Sequence, residues 1–127
     1  MVVLDTNILI DHLRLGDKSR LLISLREKLK VANLSVCMVT VQELFAGTSS
    51  TKQEDEILTL IASLKVWPYG HDVAKLAGEI EMDVKKDIEF ADAVIAATCL
   101  ANDCQLATLN KKDFAGIERL ELVDLED

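Results

Sequence analysis

Acidic side chains recur along this chain where a buried segment gives way to a helix. Asp5 follows the apolar run Val-Val-Leu, and Glu43 comes shortly after a second apolar run. Asp92 stands at the head of a very apolar helical segment. Such runs predict buried strands, and in open parallel sheets the carboxyl ends of the strands line the crevice where ligands bind. The sequence therefore predicts that these three acids meet at one edge of a sheet.

A polar segment further along the chain extends this set. Asn110 and Asp113 follow residues 104–108, which predict another short strand. Parallel strands lie about 5 Å apart, so side chains at their carboxyl ends can converge. Converging carboxylates repel one another, and one would bind a proton unless a cation neutralised them. Carboxylate and amide oxygens, without paired Cys or His, suit a hard ion, so we expect a Mg²⁺ or Mn²⁺ site.

A site of this kind suits the hydrolysis of a phosphodiester. The ion lowers the pKa of a bound water and neutralises charge that develops on the phosphate oxygens. It also addresses the net charge of −8, which disfavours binding of nucleic acid by bulk electrostatics. We therefore expect metal, rather than protein, to face the phosphate.

Each acid also has a purely structural explanation. Asp5 could cap the helix that follows it, and Asp92 could be the N-cap of its own helix. Thr40 and Glu43 have the spacing of a capping box, in which the glutamate reaches back to the threonine backbone. The repetition of acids at equivalent positions, rather than any single one, favours the metal site.

The elements that would position these residues alternate between strands and helices. We expect one α/β domain over residues 1–127, since no linker, repeat or low-complexity run interrupts the order. The predicted strands are residues 2–4, 34–39, 65–68, 104–108 and 120–123. The predicted helices begin near residue 7 and cover 19–30, 40–47, 52–64, 72–86 and 92–101.

The composition argues against several classes of protein. No apolar run approaches the ~20 residues that span a membrane, and no signal segment precedes the first strand, so we expect a cytoplasmic protein. Cys37, Cys99 and Cys104 form no C-x-x-C pair, and neither His12 nor His71 is spaced as a zinc ligand beside them. The sequence predicts reduced, structural thiols.

The ordered set of motifs resembles the PIN-domain family, and within it the VapC-type toxins of prokaryotic toxin–antitoxin pairs. The resemblance covers nearly the whole chain. It implies a PIN-like three-layer sandwich, with a mainly parallel central sheet flanked by helices, and metal-dependent endoribonuclease activity on RNA. The segments that carry it are Leu-Asp5-Thr-Asn, Glu43 after a strand, Asp92-Ala-Val-Ile-Ala-Ala, and Leu-Ala-Thr108-Leu-Asn110-Lys-Lys-Asp113-Phe.

By position, the resemblance makes Asp5, Glu43 and Asp92 the acidic residues of a Mg²⁺ or Mn²⁺ site. Asn110 departs from the family where a fourth acid commonly falls, because an amide can coordinate but brings no charge. Asp113 either supplies the missing carboxylate or acts through water.

Two hydroxyl residues accompany the acids. Thr6 and Thr108 resemble accessory residues that orient a water or a carboxylate, with helix or turn capping as the alternative. The link before Asp92 is shorter than in related chains, which often insert a few residues containing glycine, and should alter only the rim of the pocket.

The resemblance also implies partners. These are an RNA substrate, a second copy of the chain in a homodimer, and a small VapB-like antitoxin whose tail crosses the acidic groove. The helices at 19–30 and 52–64 are our candidates for the dimer surface. Basic candidates for RNA phosphate contacts are Arg14, Lys85, Lys86, Lys111 and Lys112. With 4% aromatic residues, the sequence offers no sign of a base-stacking platform.

Two rival functions remain. Phosphatases that form an aspartyl-phosphate also place Asp after a strand, but they need a second Asp two residues on, where this chain has Asn7. A non-catalytic PIN-like module that binds RNA or protein is the other alternative. Loss of activity on substituting Asp5 would separate a hydrolase from such a module.

Overall fold

The sheet at the centre of the protein is parallel throughout. The structure is a computed structural model that describes residues 1–84 and 87–125. The strands are β1 (Val2–Leu4), β2 (Leu34–Cys37), β3 (Lys65–Trp67) and β4 (Gln105–Ala107). Their order is β3-β2-β1-β4, so β1 lies between β2 and β4. This brings the carboxyl ends of β1, β2 and β4 side by side, as the sequence predicts.

Helices cover both faces of this sheet. They are α1 (Thr6–Leu15), α2 (Leu21–Leu29), α3 (Met38–Ala46), α4 (Thr51–Ala62), α5 (His71–Asp83) and α6 (Phe90–Ala101). Parallel sheets are stable only when both faces are buried, and every residue of β1 and β2 is buried here. The predicted α/β sandwich is confirmed.

Side chains that alternate along the strands divide the core in two. Val3, Cys37 and Leu106 face α5 and α6, where the most apolar helix of the chain is buried. Val2 and Leu4 face the opposite way, into a cluster with α1, α2 and α4. Asp5, which directly follows β1, therefore lies between the two packed layers, at the carboxyl end of the strands.

Several predicted boundaries are wrong by a few residues. The predicted strand 34–39 ends at Cys37, because α3 begins at Met38. No Gly or Pro separates the two elements, so the sequence contains no signal for this boundary. The helix predicted from Asp92 begins at Phe90. In place of the last predicted strand, a single parallel bridge joins Leu122 to Leu106. The predicted helix 72–86 ends at Asp83, while residues 85–86 lie outside the described chain.

Two expectations from composition can be compared with the described residues. Cys37, Cys99 and Cys104 are free thiols and all three are buried, which fits a structural role. Across residues 1–84 and 87–125, no helix combines the length and the apolar character needed to cross a membrane.

Candidate active site

Asp5 occupies the junction between β1 and α1. Its backbone N–H donates to the Ala107 carbonyl at 2.9 Å, which extends the pairing with β4 by one residue. Its side chain is 4% exposed. One carboxylate oxygen, Oδ1, accepts from the Thr6 N–H at 2.8 Å, and Oδ2 accepts from the Thr108 hydroxyl at 2.7 Å. Asp5 is thus the N-cap of α1, and it is also fixed at the carboxyl edge of the sheet.

Glu43 reaches the same edge from α3. Because α3 begins directly after β2, Glu43 falls in the second turn of the helix rather than in its first. Its Oε1 accepts from the Thr6 hydroxyl at 2.7 Å. Thr6 therefore joins two acids, since its N–H binds Asp5 and its hydroxyl binds Glu43.

This geometry differs from the capping box that Thr40 and Glu43 could have formed. The N-cap of α3 is Cys37, which makes no side-chain capping bond, and Thr40 already lies inside the helix. Glu43 is instead bonded to Thr6, a residue of a different element.

Asp92 lies in the first turn of α6, where the N-cap is Glu89. The alternative that Asp92 itself caps the helix is therefore wrong. A carboxylate in this turn interacts favourably with the helix dipole, but its other neighbours are acids. Burial raises the pKa of Asp92 to about 6, with further contributions from the charges of Asp5, Asp113, Glu89 and Glu43, in that order.

The segment after β4 brings in one more acid. Thr108 accepts from the backbone N–H of Asn110 at 3.0 Å while its own hydroxyl donates to Asp5. The carbonyl of Asn110 in turn accepts from the Asp113 N–H at 3.0 Å, opening a 3₁₀ turn from Lys111 to Phe114. Buried Phe114 anchors this turn. Asp113 projects into the cleft that the other acids line, whereas Asn110 is absent from that lining.

The acids share one cleft of about 390 Å³. Among the described residues that line it there is no Lys, Arg or His. Two of the acids, Asp87 and Glu89, come from the short link before α6, which the sequence suggested would alter only the rim. The sequence could have indicated that Asp87 and Glu89 belong to the site, because both are acids and both lie within five residues of Asp92. The carboxylates that line the cleft are Asp5, Glu43, Asp87, Glu89, Asp92 and Asp113.

Burial and mutual repulsion disfavour the ionised form of two carboxylates in the cleft. Burial raises the pKa of Asp5, and the charges of Glu43 and Asp113 raise it further, against the hydrogen bonds from Thr108 and Thr6. The pKa of Asp92 is raised for the same two reasons. Both carboxylates would gain from a cation placed between them.

The donor set fits a hard divalent ion in its chemistry, since it consists of carboxylate oxygens beside hydroxyl groups. Within the described ranges, however, no three His, Cys, Asp or Glu side chains are arranged so that they could hold a metal ion as they stand. The carboxylates line the walls of the cleft rather than closing around one point.

The structure describes three of the five basic residues that were predicted to contact RNA phosphates. Arg14 lines a groove of about 460 Å³ that shares Ile10 and Glu43 with the acidic cleft. Lys111 and Lys112 lie exposed on the turn that carries Asp113. The two other candidates, Lys85 and Lys86, lie outside the described residues.

Comparisons with known proteins agree with this architecture. A PIN domain family model matches residues 2–120. Ribonuclease VapC10 of Mycobacterium tuberculosis is 34% identical over 125 residues, covering 95% of this chain and 91% of that protein. A toxin–antitoxin complex from Klebsiella pneumoniae contains a chain that is 26% identical, with a TM-score of 0.81 and coverage of 100% and 99%. DNA-bound VapBC from Salmonella typhimurium has the same fold, with 21% identity, a TM-score of 0.85 and coverage of 98% and 97%.

Proposed function

The chain belongs to the PIN-domain family, and on that basis we propose that it is a metal-dependent endoribonuclease, the toxin of a VapBC-type toxin–antitoxin pair. The observation that carries the proposal is the single cleft into which Asp5, Glu43, Asp92 and Asp113 all project. The similarity to a ribonuclease over 95% of the chain supports RNA as the substrate.

Mg²⁺ or Mn²⁺ is the cofactor in this proposal. Asp5, Glu43, Asp92 and Asp113 would hold it after their side chains move inward from the walls of the cleft, since they do not surround one point as they stand. Asn110 contributes through its backbone, because its hydrogen bonds shape the turn that carries Asp113. When bound, the ion would supply an activated water and neutralise charge on the phosphate.

The remaining residues keep the acids in place. The carboxylate of Asp5 is held through both oxygens, by Thr6 and by Thr108. Thr6 and Thr108 are therefore positioning residues, because they bind carboxylates rather than reacting atoms. Their hydrogen bonds also favour the ionised form of Asp5, against the burial that raises its pKa.

The proposed partner is a small VapB-like antitoxin. Solved relatives of this chain are parts of toxin–antitoxin complexes, including the one from Klebsiella pneumoniae. The cleft has six carboxylates among its described lining residues, which suits a partner segment that carries a basic residue. This function places the protein in the cytoplasm of a prokaryotic cell, where RNA and the antitoxin are available. The homodimer and its surface at α2 and α4 stay predictions.

The test is cleavage of a structured RNA pool by the purified protein with Mg²⁺, with Mn²⁺ and with a chelator. We expect cleavage only with metal and a loss of about 100-fold or more in Asp5→Asn, which removes one charge without changing size. Glu81→Gln, on the exposed side of α5, removes a charge outside the cleft and outside the predicted dimer surface; it is the control and should cleave like the wild type.

The same experiment can favour the rival function. A folded wild-type protein that cuts no RNA in any metal, yet binds RNA or a small protein as well as Asp5→Asn does, would make it a non-catalytic binding module. Cleavage that persists undiminished in the chelator would remove the metal from the proposal.

A further inference from the structure

A buried chain of hydrogen-bonding groups continues behind Thr6, away from the cleft. The hydroxyl of Thr6 lies 2.9 Å from the hydroxyl of Thr40, and the hydroxyl of Thr40 lies 3.5 Å from the Cys37 thiol sulfur. Thr40 is fully buried and Cys37 is 1% exposed. The end of β2 and the first turn of α3 are thus joined through side chains to the first residue of α1.

Counting protons fixes the direction of these bonds. Each hydroxyl has one proton to donate, and an ionised carboxylate can only accept. At 2.7 Å from Glu43, the Thr6 hydroxyl gives its proton to the carboxylate. Thr40 must then donate to Thr6, which leaves Thr40 only lone pairs to offer to Cys37.

The thiol of Cys37 completes the chain as a donor. Burial raises the pKa of this thiol, so it keeps its proton and has it available to donate to Thr40. All three protons therefore point the same way, from the core toward Glu43. Bonds aligned in this manner polarise and strengthen one another.

We propose that Thr40, with Cys37 behind it, is a positioning residue that commits the Thr6 hydroxyl proton to Glu43 and so holds this carboxylate in the cleft. The inference deepens the proposed function and rests on it. Without a donor at position 40, the Thr6 hydroxyl would lose the partner that polarises it, and a buried lone pair would be left unsatisfied.

Thr98 shows what a threonine without this role does. It is as fully buried as Thr40, but its hydroxyl donates to the Val94 carbonyl of its own helix at 2.8 Å. This is the usual local bond of a helical threonine. Thr40 instead makes its hydrogen bonds to side chains, to Thr6 of α1 and to Cys37, the N-cap residue of α3. Thr98→Val is therefore a matched control for Thr40→Val.

The experiment compares Thr40→Val, Thr40→Ser and Thr98→Val with the wild type. Three quantities are measured for each: kcat and KM for RNA cleavage, the affinity for Mn²⁺ by titration of the metal-free protein, and stability in urea. Support from groups behind metal ligands is worth about tenfold or more in metal affinity or activity. We expect Thr40→Val to lose about tenfold in kcat and to bind Mn²⁺ more weakly, with KM for RNA within about twofold because Thr40 touches no surface.

The controls separate positioning from stability. Thr40→Ser keeps the hydroxyl and should restore kcat and Mn²⁺ affinity to within about twofold of the wild type. Thr98→Val should lower stability without changing either. Cys37→Ala removes the first donor of the chain and should lower kcat less than Thr40→Val does, which keeps the test available if Thr40→Val does not fold.

The inference is overturned if Thr40→Val keeps wild-type kcat and Mn²⁺ affinity, or if Thr98→Val loses both to the same extent. If the wild type cleaves no RNA, the proposed function fails, and the Mn²⁺ titrations alone still decide whether Thr40 supports the cleft.

Discussion

Asp92 holds its proton more tightly than an ordinary aspartate because it is partly buried and surrounded by acids. Its pKa is raised to about 6, whereas an aspartate in an unfolded chain has a pKa of about 3.9. Below the lower value the group is protonated in both states. As the pH rises between the two values, the unfolded chain releases the proton first, so the folded protein loses stability. The full cost is present above the pKa of the folded state.

Removing this charge should therefore stabilise the metal-free protein at neutral pH. We expect Asp92→Asn to raise the free energy of unfolding by about 1–2 kcal/mol near pH 7, a value reduced because water screens the exposed part of the group. The gain should shrink toward zero as the pH is lowered to about 4. Urea unfolding with chelator present, across this pH range, measures it. An equal gain at every pH would mean that neither the burial of the Asp92 charge nor its repulsion by the other acids is the cause.

At the scale of elements, the 3₁₀ turn after β4 decides which polar residue serves the cleft. Asn110 bonds through its backbone to Thr108 and to Asp113, and its side chain is exposed. Asp113, three residues later, projects into the cleft and contributes to the raised pKa values of Asp5 and Asp92. The turn thus places Asp113 rather than the side chain of Asn110 in the cleft, and the sequence had left both residues as candidates.

Two substitutions in this turn should consequently behave differently. We expect Asp113→Asn to lower metal-dependent kcat/KM by about tenfold or more, because it removes a carboxylate from the cleft. Asn110→Ala keeps the backbone bonds and should change kcat/KM by less than about threefold. RNA cleavage at saturating metal measures both. A larger loss in Asn110→Ala than in Asp113→Asn would reverse the assignment.

The architecture was predictable because the strands are short apolar runs, and these runs alternate along the chain with helical patterns. Apolar runs before Asp5 and near residue 105 predicted two short strands whose ends would meet if the strands were parallel neighbours, and β1 does lie parallel beside β4. The start of α3 was not predictable, since Val39 and Val41 favour a strand locally while packing makes this segment a helix. For the same reason the spacing of Thr40 and Glu43 suggested a capping box. Glu43 and Thr6 are 37 residues apart and belong to different helices, so no local sequence pattern predicts the hydrogen bond between them.

For the whole molecule, negative charge is concentrated in the cleft where the proposed function places a cation. The chain carries a net charge of −8, and six carboxylates of the described residues line one cleft. Two of these, Asp5 and Asp92, have raised pKa values. General self-repulsion of an acidic protein is relieved by any salt, whereas repulsion inside a cleft is relieved most by an ion bound there. The two effects can be separated by comparing monovalent and divalent ions.

Mg²⁺ should therefore stabilise the protein more than NaCl of the same ionic strength. An ion that binds only the folded state adds RT ln(1 + [L]/Kd), which is about 1.4 kcal/mol when its concentration is ten times Kd. For a domain of this size we expect Tm to rise by roughly 4 °C. Asp5→Asn should lose most of the excess, because it removes a buried charge from the cleft, while Glu81→Gln on the exposed side of α5 should retain it. Thermal unfolding followed by circular dichroism measures all three proteins. Equal responses to Mg²⁺ and NaCl would show that screening alone acts and that the cleft binds no divalent ion.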